Sequence, residues 1–145
     1  MLLGAVSPST VFWQVDVDKG HHSLSHDEPG AQPLLHKTTV FTMEQFAVLL
    51  TALQGVAEGD GTLLDNCSVL ASSDVADGRE HSIEDYPILV AGGGGGALRS
   101  GVHYRSDGEN TSRVLLTLLR SVGLPLSQFG QDGGAVTEGC SAIET

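Results

Sequence analysis

A chain of 145 residues with 40% hydrophobic and 17% charged residues has the balance of a globular protein and fits one ordinary domain spanning 1–145. Its 18 Asp and Glu against 7 Lys and Arg give a formal net charge of −11, which opposes a nucleic-acid backbone or an anionic membrane surface and favours a cation, a metal or a polar partner. No apolar run approaches the roughly 20 residues needed to span a bilayer, and the opening MLLGAVSPSTVFWQVDV has neither the basic block nor an apolar block of the length a signal peptide needs.

In chain order, TVFWQVDV (Thr10 to Val17) is rich in β-branched and aromatic residues and predicts a strand. The segment DKGHHSLSHDEPG then follows as a loop, and Pro29, Gly30 and Pro33 extend that loop to about residue 38. TMEQ matches a capping box and starts a helix at Thr42, whose apolar face is Phe46, Leu49, Leu50, Leu53 and Val56. EGDG (Glu58 to Gly61) stops that helix and turns the chain.

NCSVLASSD and YPILVAG predict two buried strands separated by a polar loop that carries His81, and GVHYR predicts a further short strand. A second helix is expected from Asn110 or Thr111, with Val114, Leu115, Leu118, Leu119 and Val122 on one face and Gly123 as its stop. Residues 127–145 form a polar, glycine-rich tail, expected to be a loop or a frayed end. Cys67 lies in an apolar run and Cys140 in the tail, so two free thiols are expected rather than a disulfide. Strands alternating with helices favour an α/β layer with some parallel pairing.

Three of the six histidines crowd into DKGHHSLSH. Asp18, His22 and His26 succeed one another at intervals of four, which would align them on one face of a helix and still lets them converge in a loop. Neutral imidazoles and carboxylates are ligands for zinc, manganese or iron; the plain alternative is a solvated polar loop. Asp74 stands at the end of a predicted strand, where α/β proteins bind ligands, with Asp77 and His81 close behind; otherwise these aspartates are turn residues. The run Gly92 to Gly96 has neither a P-loop nor a dinucleotide fingerprint and predicts a flexible turn. Ser72 and Ser73 precede His81 without a nucleophile-elbow motif, leaving a serine hydrolase as a minor third reading. His36 and His103 stand alone.

The segments HHSLSH, EQFAVLLTALQGVAEGDGTLLDN, HSIEDYPILVAGGGGG and NTSRVLLTLLRSVGLPLSQFG, in this order, resemble the C-terminal part of a bacterial family, the domain of unknown function numbered 1552, over residues 20 to 130. That family looks like a distant branch of the alkaline phosphatase and sulfatase superfamily. The resemblance implies an α/β sandwich, a mixed and mostly parallel sheet flanked by helices, and a two-metal site of Asp and His at strand ends.

Carried onto this chain, the resemblance makes His22, His26, Asp74 and His81 metal ligands, with zinc, manganese or iron as the divalent metal and a small anionic substrate. It departs from the family pattern at Val75, where a histidine would follow Asp74, and at Asp27, where a further histidine would follow HHSLSH. The superfamily's nucleophile half has no match here, so the chain is expected to be the C-terminal portion of a larger metal-dependent hydrolase-like domain. The alternative is a non-catalytic exported or cell-envelope module with a vestigial metal site and a protein partner. Family members carry twin-arginine export signals, which implies an extracytoplasmic location. A partial domain would leave a sheet edge or helix face uncovered and promote self-association.

Overall fold

The computed structural model describes residues 10–145, so residues 1–9 of the N-terminal stretch read for a signal peptide lie outside the described residues. The chain divides into two compact units, one formed by Met1–Thr51 with Ser72–Ile88 and the other by Ala52–Ala71 with Leu89–Thr145.

In the first unit the strand expected over Thr10 to Val17 does not form. The Phe12 carbonyl accepts from the amides of both Val15 and Val17, Trp13–Val15 is a 3-10 turn, and Asp16 adopts a left-handed φ of 55°. Val11 keeps only an isolated bridge to Gly20. β-branched composition favours a strand only where neighbouring strands supply packing, and among the described residues none does so here.

The histidine segment, expected as a loop, is instead helix α1, His21–Asp27. Seven residues are too few for a helix stable by itself, so tertiary contacts hold it. Leu24, 2% exposed, and Ser25 bury its inner face. The Gln32 side-chain amide donates to the carbonyls of Leu24 and Ser25 at 3.3 and 2.9 Å and satisfies its C-terminal end.

Helix α2, Pro33–Gln54, starts well upstream of Thr42. Its first turn has Pro33 at the position where a missing N–H costs nothing, and the Glu28 carboxylate accepts from the amides of Leu34 and Leu35 at 2.8 and 2.9 Å. Thr42 therefore lies inside the helix, its hydroxyl donating to the Thr38 carbonyl. Phe46 is buried, Leu49, Leu50 and Leu53 are half-buried, and Val56 lies beyond the helix end and is exposed.

In the second unit EGDG becomes a hairpin turn between β1, Ala57–Glu58, and β2, Gly61–Thr62, which pair antiparallel as Ala57↔Thr62 and Glu58↔Gly61. A four-residue helix α3, Leu63–Asn66, follows, capped reciprocally by Thr62 and Asp65. The two expected strands are present as β3, Val69–Ser72, and β4, Ile88–Ala91, but they are half-buried rather than buried, with Leu70 and Leu89 exposed.

The mostly parallel sheet and the alkaline-phosphatase-like sandwich are not present. The described residues contain two short two-stranded sheets, β1–β2 and β3–β4, both antiparallel, in a small mixed α/β fold. A parallel pair needs a crossover, usually helical, whereas residues 73–87 contain no helix. They return the chain directly beside itself, the Ser72 hydroxyl donating to the Pro87 carbonyl at 2.7 Å.

The glycine run that follows β4 is a tight turn rather than an open loop. Gly92 has φ +96°, and a Cβ there would stand 2.2 Å from the Cys67 carbonyl oxygen. The amides of Gly93, Gly94 and Gly96 donate to the carbonyls of Leu64, Cys67 and Gly93, so they do not form an anion cradle. GVHYR forms no strand.

Helix α4, Ser112–Ser121, appears where expected, and Gly123 with φ +85° ends it. Its most buried residues are Leu116, Thr117 and Leu118, while Val122 is exposed. The tail is docked rather than frayed. Phe129 bridges Val136, Leu98 bridges Glu144, and the amide of buried Cys140 donates to the Thr117 hydroxyl at 2.8 Å. Cys67 and Cys140 are free thiols.

The cap of α3 makes a pH-dependent contribution. Hydrogen bonds from the Thr62 hydroxyl and amide hold the Asp65 carboxyl below the ordinary carboxylate range. A group whose folded-state pKa is depressed adds stability above its unfolded pKa, about 3.9, and that stability is lost as pH falls through the folded value. Asp65→Asn should therefore flatten the acid limb of the stability-against-pH curve below about pH 4. Thr62→Ala should cost about 1 kcal/mol in urea unfolding at neutral pH.

Candidate metal site

The candidate site lies wholly within the first unit, on α1 and the loop from 76 to 82. His22 and His26 are one helical turn apart, and their rings meet edge to face with centroids 4.7 Å apart. His81 completes the cluster from the loop. Its ring centroid lies 4.9 Å from that of His26 at an interplanar angle of 82°, and the two Nε2 atoms are 3.2 Å apart.

Two contacts bring the His81 loop, which its own hydrogen bonds close, to α1. The Asp77 carboxylate accepts from the amides of Arg79 and Glu80 at 2.9 Å, and the Ala76 amide donates to the Ser82 carbonyl at 2.7 Å, closing residues 76 to 82 into a tight turn. The Glu80 amide, with smaller contributions from the Arg79 amide and guanidinium, outweighs desolvation and holds the Asp77 carboxyl below the ordinary range. The Arg79 guanidinium donates to the Glu28 carbonyl at the end of α1 at 2.6 Å. Gly78 lies against Ser25, where a Cβ would fall 2.8 Å from the Ser25 Cβ.

His81 itself has φ +53°, a left-handed conformation costing a non-glycine residue of order 1–3 kcal/mol, which the surrounding turn must offset. The prediction is direct: Gly78→Ala pushes the loop off α1, separates His81 from His26 and weakens any ligand both hold by about tenfold in a binding titration.

Of the four residues expected as ligands, His22, His26 and His81 are brought together and Asp74 is not. Asp74 is exposed and makes no hydrogen bond or ion pair to the histidines among the described residues. Asp18 precedes α1 and is likewise exposed. Ser72 donates to a backbone carbonyl rather than to a histidine. His21, turned against Phe12 with ring centroids 5.6 Å apart, has its pKa lowered by burial and secondarily by the charge of His22.

A shallow cavity of about 450 Å³ opens elsewhere on α1, lined by Lys19, Ser23, Leu24 and Asp27 among others and by none of the three histidines.

No family model, curated protein or solved structure matches this chain. Among the described residues no group of three or more His, Cys, Asp or Glu is already arranged to hold a metal ion. The cluster is two converging donors with a third ring beside them: His26 and His81 face each other through Nε2, while the His22 ring abuts His26 edge on. The positioning residues Gly78, Arg79 and Ser25 carry no metal-ligand signal in the sequence. Only the Asp-Gly pair at 77 and 78, a turn former, hints at the bend.

Proposed function

We propose that the chain binds one divalent transition metal, zinc in preference to manganese or iron, through Nε2 of His26 and His81, with His22 rotating in as third donor. One observation carries this reading, the 3.2 Å separation of the two Nε2 atoms. Two nitrogens each about 2.05 Å from a tetrahedral zinc stand about 3.3 Å apart, so the ring-to-ring hydrogen bond of this pair has the length of one edge of such a site, and a metal would take the place of the shared proton once the rings turn to converge. Imidazole donors suit zinc better than manganese, which prefers oxygen. His22 is exposed, one turn from His26, and a side-chain rotation costs little there.

Three histidines would leave the fourth position to solvent, the pattern of a catalytic rather than a structural zinc site. When bound, such a metal supplies Lewis acidity toward a phosphoryl or sulfuryl oxygen. The chain's own part is to hold two imidazoles in fixed orientation through the Gly78, Arg79 and Asp77 contacts. Together with the resemblance to the family numbered 1552, this supports a metal-dependent, hydrolase-like protein acting on a small anionic substrate outside the cytoplasm.

The exposed position of Asp74 and the edge-on His22 favour a second reading, a non-catalytic module that keeps a vestigial metal site. Elemental analysis and zinc titration of the purified chain, followed by assay of aryl phosphate and aryl sulfate hydrolysis, separate the two. One zinc per chain with hydrolysis supports the enzyme, and one zinc without hydrolysis supports the module. No zinc uptake overturns both.

The described residues include no helix long and apolar enough to cross a membrane.

A further inference from the structure

Helix α2 has a second face that the fold leaves open. Its 22 residues include two charged side chains, Lys37 and Glu44. Thr38 and Phe46 are buried on the inner side, and Leu35, Leu49 and Leu53 are half-buried on that side. On the outer side Lys37, Val40, Glu44, Ala47 and Thr51 recur at alternating spacings of three and four and are all exposed. That is the period of a helix-pairing seam. Val40 is 43% exposed, and Val48 beside the seam is 62% exposed. A helix face turned only to water ordinarily carries a denser set of charges than this.

We propose that this outer face of α2 is a self-association surface on which a second copy of the chain docks, the two helices antiparallel about a two-fold axis near residues 40 and 41. The two charges select both the occupant and its direction. In a two-fold pair the same patch serves both copies, so Lys37 of each lies opposite Glu44 of the other and the ion pair forms twice, with Val40 between. A parallel pair would instead oppose Lys37 to Lys37 and Glu44 to Glu44. Among the described residues Lys37 pairs within its own copy only with Asp16, at 3.9 Å, and the Asp16 side chain is 97% exposed. Such a pair contributes little and does not compete.

Sedimentation velocity of the full chain over about 5 to 500 µM tests the proposal, since an interface this small gives weak, concentration-dependent dimers. The expected result is a reversible monomer–dimer equilibrium. Lys37→Glu and Glu44→Lys should each weaken it about tenfold, and the double variant should return to within about twofold of wild type, because the pairs re-form with their signs exchanged. Val48→Ser should weaken it without altering any charge, and Asp16→Asn should leave it unchanged. All four substituted positions are exposed, and circular dichroism checks that each variant is folded. A chain monomeric throughout the range overturns the proposal. So does a dimer indifferent to the single reversals, or a double variant no tighter than the singles.

Discussion

Replacing His26 by alanine should lower zinc affinity by about a hundredfold or more while leaving the chain folded. His26 is the hinge of the cluster: it alone touches both other rings, 4.7 Å from His22 and 4.9 Å from His81 by centroid. Its loss removes one of the two converged donors and separates the remaining two. Alanine is the best helix former, and the His26 ring is only half-buried, so α1 survives on Leu24, Ser25 and the Gln32 cap.

His81→Ala should match His26→Ala. His22→Ala should cost less, about tenfold, because that side chain must first rotate to bind. His36→Ala and His103→Ala should change nothing. Isothermal titration with zinc reads all of these, and a His26→Ala chain that binds zinc as tightly as wild type would sink the assignment.

Leu116→Ala should be the most destabilising single truncation in α4, by about 3 kcal/mol. Leu116 has no solvent exposure at all, so the truncation both forfeits its burial and leaves a cavity. A domain of this size holds about 5–15 kcal/mol in total, so the loss should shift the urea midpoint substantially. Leu115→Ala should cost less, since Leu115 is only half-buried, and Val122→Ala should stay within about 0.5 kcal/mol at 53% exposure. Spacing within α4 alone would rank Leu115 and Val122 above Leu116. If the measured order follows the spacing, the packing described for α4 is wrong.

That contrast shows where local pattern stops informing. The existence of α4, its Gly123 stop and the strands β3 and β4 follow from short-range apolar runs and a C-terminal glycine. The face α4 buries depends on the docked tail, where Thr117 meets the Cys140 amide 23 residues away, and spacing does not register such a partner. The start of α2 was hidden in the same way. TMEQ is a valid capping signal, but the Glu28 carboxylate and Pro33 cap the chain earlier and draw Thr42 into the helix interior.

The His22 and His26 spacing of four is a local fact, and α1 converts it into two rings on one face. The approach of His81 to His26 spans 55 residues and rests on Gly78 against Ser25 and on Arg79 reaching the Glu28 carbonyl. Asp74, which its place after a strand recommended, stays outside the cluster because β3 and β4 pair antiparallel and residues 73–87 return the chain without forming a strand-end cleft.

By itself the sequence determined an acidic, globular α/β chain with two apolar-patterned helices, two short strands, free thiols and a histidine-dense segment. These follow from composition and from interactions within a few residues. The tertiary structure decided the antiparallel pairing, the helical form of the histidine segment, the exposed outer face of α2 and the approach of His81 to His26. Each of these depends on which distant carbonyl, carboxylate or Cβ a group meets, and on the burial that only the folded chain creates.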